Sequence, residues 1–205
     1  MRVLVVDTET TGLNGCRSGD LVLDVAVVRA DTHTGEVEPV YSQVVGYDVS
    51  SWDARMRDAW VFHNSDLTVE EVGEGRPLAA VAKEVRGILD HSIATSYNVA
   101  FDFSKFLDWE PWSVRPVMAP DPMLCAHALV DGDYLFDDGS TSWPKLSKAY
   151  SVLCPGDPGG IGGAQRHRAN EDAVMAAHVL LALVERGEYP RDLEEGRAVG
   201  RRADP

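Results

Sequence analysis

The sequence is poor in basic residues, in long apolar runs and in cysteine pairs, and each shortage removes a class of function. Lys and Arg total 19 against 33 Asp and Glu over 205 residues, a formal net charge of −14. Proteins that coat nucleic acid rely on basic patches, so a coating role is excluded. An enzyme that touches only a strand end is not excluded, because bound divalent cations supply positive charge locally. Cys16, Cys125 and Cys154 are odd in number and widely spaced, which fits neither a disulfide framework nor a CxxC zinc pattern. No apolar stretch approaches the ~20 residues of a membrane span, and no basic-then-apolar leader is legible ahead of Asp7. No membrane association and a cytoplasmic location are therefore expected.

The remaining composition, 44% apolar and 25% charged, is that of a globular protein with a full core. Arg2 to Asp7, Leu21 to Arg29 and Val37 to Val45 read as strands, the last two joined by the turn-forming Asp31 to Gly35. Three strands on short connections predict an antiparallel meander. Met56, Ala59, Trp60 and His63 fall at helical spacing, and Leu78 to Leu89 repeats that spacing behind Pro77. Ser92 to Tyr97 reads as a short strand and Val99 to Leu107 as a helix. Asp121-Pro122 opens a helix to about Val130, and further helices follow at Leu146 to Leu153 and Ala169 to Arg186. Strands first and strand–helix alternation later predict an α/β mixed sheet with helices on its faces. One domain over residues 1–186 and a loosely attached tail over 187–205 are expected. Pro155 to Gly163 holds five glycines and two prolines in nine residues, the composition of a flexible loop.

Three short constellations carry chemistry. Asp7 and Glu9, two apart where the first strand ends, project from one face. Neighbouring carboxylates repel each other unless a cation or a shared proton relieves them, and oxygen pairs suit Mg²⁺ or Mn²⁺. A lone DxE is more often a solvated strand edge, and a haloacid-dehalogenase-type phosphatase would want a second Asp where Glu9 stands. Asn98 and Asp102 sit at a strand–helix junction, where capping and the helix dipole account for them equally well. His167 and Asp172 open the last helix, the histidine on the preceding loop and the acid in the first turns. His33, His91, His127 and His178 have no acidic companions at useful spacing.

Together the three motifs resemble those of the DEDD exonucleases, in the histidine-bearing DEDDh (DnaQ-like) subgroup. The motifs are Asp7-Thr8-Glu9 with Thr10-Thr11-Gly12, Asn98-x-x-Phe101-Asp102, and His167-x-x-x-x-Asp172 with Ala169 at the small-residue position. The resemblance spans roughly residues 1 to 186. It implies a ribonuclease H-like fold with a five-stranded mixed sheet, and 3′–5′ exonuclease activity releasing nucleoside 5′-monophosphates by a two-metal-ion mechanism. Asp7, Glu9, Asp102 and Asp172 would hold two Mg²⁺ ions, which Mn²⁺ could replace, and His167 would be the general base. The glycine-dense segment ahead of His167 suggests an arm that settles over the site with substrate. Thr8, Thr11, Gly12 and Leu13 would hold the terminal nucleotide, with Asn98, Phe101 and His63 near it. For Phe101 and His63, packing explains the residue as well. Arg166, Arg168 and Lys105 either guide phosphates or are solvated surface. DNA 3′ ends, single-stranded or frayed, are favoured over RNA, with a polymerase or replication partner possible for a proofreading-type enzyme. The alternatives are an exoribonuclease of the RNase T or oligoribonuclease type, and a catalytically retired scaffold subunit, for which five intact chemical residues would be superfluous.

Overall fold

A computed structural model describes residues 1–162 and 165–193 of the chain. Six strands form one sheet: β1 (Arg2–Thr10), β2 (Val22–Asp31), β3 (Val37–Gly46), β4 (Arg76–Pro77), β5 (Ile93–Ser96) and β6 (Val117–Met118), in the order β4-β3-β2-β1-β5-β6. β1, β2 and β3 form the expected antiparallel meander, and β5 lies parallel to β1. The count of six differs from the expected five because β4 and β6 are two-residue edge pairings, parallel to β3 and β5. Segments that short carry no alternation for a sequence reading to detect.

Strand parity divides the core. Val3 and Val5 of β1, with Ala26, Val28 and Ala30 of β2, pack on one face against α7 (Ala169–Glu185). The same cluster takes in α6 (Leu146–Leu153) and α5 (Pro122–Ala126). Leu4, Val6, Val25 and Val27 pack on the other face against α4 (Leu78–Leu89) and a π-type helix, Ala100–Leu107. α7 is apolar nearly all round because it is enclosed by sheet and helices. Its small residues Ala169, Ala173, Ala176 and Ala177 are all fully buried.

Several boundaries differ from expectation. The Met56–His63 stripe is not one helix. It breaks into α1 (Ala54–Arg57) and α2 (Val61–Asn64), because Ala59 and Val61 are the residues that join the small core around Leu23 and Trp52. Trp60 is left 57% exposed. A further helix, α3 (Val69–Glu74), opens with a capping box from Thr68 and Glu71. α5 stops at Ala126 rather than near Val130, although Asp121 caps it as expected by accepting from the Met123 and Leu124 amides. The start of the expected loose tail is docked. Tyr189 is buried and its hydroxyl donates to the Pro120 carbonyl at 3.0 Å, while the Arg191 carbonyl accepts from Thr32 Oγ1 at 2.8 Å. Residues 194–205 of that tail lie outside the described residues.

Candidate active site

Parity in β1 continues past the core. Residues 3 and 5 face α7, so Asp7 and Glu9 project from the same face. Asp172 stands in the first turn of α7, and Asp102 in the first turn of the π-type helix that follows β5, the parallel neighbour of β1. The three motifs therefore meet at one end of the two central strands. All five residues line a cleft of about 1000 Å³.

Glu9, Asp102 and Asp172 are buried and Asp7 is half-buried. Thr8 Oγ1 donates to Asp102 Oδ1 at 2.7 Å, and Gln165 Nε2 donates to Asp172 Oδ2 at 2.6 Å. Asp172 Oδ1 is buried with no hydrogen-bond partner among the described residues. His167 lies on the loop before α7, in the left-handed backbone region at φ 54°. Its Nδ1 is 3.8 Å from Asp172 Oδ2, and its ring meets Trp60 edge-on with centroids 4.7 Å apart.

Burial raises the proton affinity of all four site carboxylates, with charge repulsion adding to it at Asp7, Glu9 and Asp172. Burial, then the charges of Asp172, Asp102, Glu9 and Asp24, hold the Asp7 carboxyl well above its ordinary range. Burial, then Asp172, Asp24 and Asp102, push Glu9 up to about 9, with Arg168 opposing. Burial pushes Asp102 up to about 7 against the Thr8 hydrogen bond, and pushes Asp172 to about 7 against that from Gln165. Burial pulls His167 below its free value of 6.5.

These residues fit a hard divalent cation. Glu9, His167 and Asp172 offer ligand atoms within 4.8 Å of one another. The donors are oxygens and one imidazole, and the orphaned Asp172 Oδ1 is a buried acceptor that no donor among the described residues satisfies.

Of the residues expected near substrate, Thr8, Thr11, Gly12, Leu13, Asn98 and Phe101 all line the cleft. Leu13 is 72% exposed, with its carbonyl held by Lys105 Nζ at 2.7 Å. Asn98 Oδ1 accepts from the Phe101 amide, the capping role weighed for it, and Phe101 packs edge-on to Phe106. His63 is not among the lining residues; it is exposed and its Nε2 lies 2.8 Å from Asp58 Oδ1. Gly12 closes the turn against the buried Asp20, whose carboxylate would lie 2.6 Å from any added Cβ. In the glycine-dense loop, Asp157 accepts from Tyr150 Oη and from the Ile161 and Gly162 amides, which ties the described part of that loop to α6; Gly163 lies outside the described residues.

Sequence reasoning missed Trp60, Trp143, Lys145 and Gln165 as lining residues, and Asp24 beside the site. Only Asp24 left a signal. It has the even-numbered parity of Ala26 and Val28 in β2, and it pairs with Glu9 across the sheet.

No family model matches the chain. It is 26% identical over 185 residues to a PolC-type DNA polymerase III of Thermotoga petrophila, a match that covers 89% of this chain and 12% of the polymerase. Among solved structures it superposes on Escherichia coli exonuclease I in complex with a dT13 oligonucleotide, with a TM-score of 0.64 and 19% identity, covering 95% of this chain and 43% of that one. It also superposes on the nuclease domain of 3′hExo, a DEDDh family member bound to rAMP, with a TM-score of 0.62 and 16% identity, covering 92% and 94% of the two chains. The chain thus spans less than half of exonuclease I and about an eighth of the polymerase. It has the ribonuclease H-like fold of the DEDDh 3′-exonucleases, the group that its three motifs resemble.

Proposed function

We propose that the protein is a metal-dependent 3′–5′ exonuclease that hydrolyses phosphodiester bonds at nucleic-acid 3′ ends and releases nucleoside 5′-monophosphates. The observation that carries this reading is the meeting of four carboxylates and one histidine, drawn from three distant stretches of chain, in a single cleft. Asp7, Glu9, Asp102 and Asp172 would hold two divalent cations, Mg²⁺ or Mn²⁺, which supply the positive charge that steadies the attacking and leaving oxygens.

The chain's own residues do the rest. The lowered pKa of His167 keeps its imidazole neutral near pH 7, so a ring nitrogen is free to take a proton from the attacking water. The water oxygen bonds to phosphorus, the bond from phosphorus to the 3′ oxygen breaks, and that oxygen is protonated from solvent. Thr8 holds the Asp102 carboxylate in place through its hydroxyl. Gly12 lets the Thr11–Leu13 turn close on the Asp20 carboxylate, and the exposed Leu13 side chain sits at the lip where a base would lodge.

DNA is the favoured substrate, as a single strand or a frayed end. The exonuclease I relative binds a DNA oligonucleotide, and the similarity to a polymerase supports a proofreading-type role with a replication partner. The rAMP bound to the 3′hExo domain supports an exoribonuclease as the second reading. The test is digestion of matched 5′-labelled DNA and RNA oligonucleotides with Mg²⁺, with EDTA, and with Mg²⁺ restored. Ladders shortening from the 3′ end, abolished by EDTA and restored by Mg²⁺, are expected, with DNA cut faster. EDTA-resistant cleavage, or no cleavage of either polymer, would refute the reading.

A further inference from the structure

The buried acid Asp24 takes no part in the mechanism above, and its partner Arg168 follows the histidine directly. Arg168 Nε donates to Asp24 Oδ2 at 3.0 Å, and the Ala169 amide donates to the same oxygen at 3.3 Å. A β2 carboxylate thus caps the N-terminus of α7, which has no side-chain cap of its own. Arg168 Nη1 reaches outward to Asp66 Oδ1 at 3.0 Å and to Glu71 Oε1 at 3.6 Å. The guanidinium fork therefore fastens the loop before α7 at once to the sheet and to the segment carrying α2 and α3. That segment also presents Trp60, whose ring backs the His167 imidazole.

His167 sits between this anchor and the cleft in a backbone conformation that non-glycine residues adopt only when their surroundings impose it. With three carboxylates engaging it, Arg168 is not available to a substrate phosphate. We propose that Arg168, fixed by Asp24, is the positioning residue for His167, holding the imidazole between Trp60 and Asp172. The inference rests on the exonuclease reading for its kinetic consequence, though not for the geometry. Misplacing a reacting group by about 1 Å costs on the order of 10²-fold in rate, and that loss should fall on kcat.

The test is a double-mutant cycle of Arg168→Gln and His167→Ala on a 5′-labelled single-stranded oligonucleotide with Mg²⁺. At saturating Mg²⁺, Arg168→Gln alone should lower kcat by about 10²-fold and leave KM unchanged. In the His167→Ala background it should cost nothing further, because a residue acting through His167 has nothing left to position. Equal losses in both backgrounds, or a loss confined to KM, would overturn the proposal. Arg168→Lys keeps the charge beside Asp24 but not the fork to Asp66, and serves in the same cycle should the glutamine variant fail to fold. A readout independent of turnover separates this idea from the activity itself. The NMR cross-relaxation between the His167 and Trp60 rings should vanish in either Arg168 variant while core signals persist. If it survives, the positioning role fails whatever the protein digests.

Discussion

At the residue scale, one histidine among six is set apart by its surroundings. His167 is a quarter exposed, has Trp60 behind it and a buried carboxylate in front of it. Burial lowers its pKa, so the imidazole is neutral down to below 6.5 and gains its proton only in more acidic solution. With Mg²⁺ saturating the site carboxylates, the rate should therefore be flat near neutrality and fall on the acidic side below 6.5. His167→Ala should lose about 10²–10⁴-fold in kcat and that acidic limb with it. Measured kcat–pH profiles of the two proteins check this, and an acidic limb that persists unchanged in the variant would contradict the assignment. The residue was legible in the sequence through its five-residue interval to Asp172. Its neighbours were not, because Trp60 and Gln165 come to it through folding and follow no local periodicity.

At the scale of elements, the site is an extension of β1. The strand runs to Thr10, three residues beyond the boundary read from sequence, so Asp7 and Glu9 are paired strand residues opposite Ala26 and Asp24. The turn that follows is tight because Gly12 packs directly on the Asp20 carboxylate, which also accepts from the Asn14 amide and from Arg55. Gly12→Ala must push that buried carboxylate or the turn aside. It is expected to destabilise the fold by about 1–3 kcal/mol and to raise KM more than it lowers kcat, because the turn holds substrate rather than the reacting groups. Urea unfolding and steady-state kinetics test both halves. Longer elements were legible: α4, α6 and α7 each run for eight residues or more, long enough for their apolar positions to express a helical period. The short ones, β4, β6, α1 and α2, were missed or merged because they hold too few residues to express a period. Their places are set by what they pack on, as the burial of Ala59 and Val61 shows.

At the scale of the whole molecule, an excess of negative charge converges on one end of the sheet. Four site carboxylates and Asp24 all have their proton affinity raised, with burial the leading cause. A carboxylate whose folded pKa lies above its unfolded one favours the fold below the unfolded value and loses that contribution as pH rises through the folded one. The window opens near 3.8–4.5 and passes about 7 for Asp102 and Asp172 and about 9 for Glu9. Metal-free protein should therefore melt at progressively lower temperature from pH 5 to pH 9. Each kcal/mol lost corresponds to about 2–4 °C in a domain of this size. Mg²⁺ at a hundred times its Kd should restore about 2.7 kcal/mol, and Asp172→Asn should flatten the pH slope while abolishing turnover. Calorimetric scans across that range with EDTA and with Mg²⁺ decide it; a metal-free Tm that climbs with pH would contradict the charge crowding.

The alternation along β1 has one more consequence. Val3 and Val5 sit beneath α7, and Asp7 and Glu9 come next on the same side of the ribbon. A slip of β1 by one residue in its register with β2 would turn the acids away from His167 and Asp172, and would turn the valines away from their helix in the same stroke. Anchorage and reactivity in this strand are one periodic inscription, and no single-residue shift of frame can disturb the second while sparing the first.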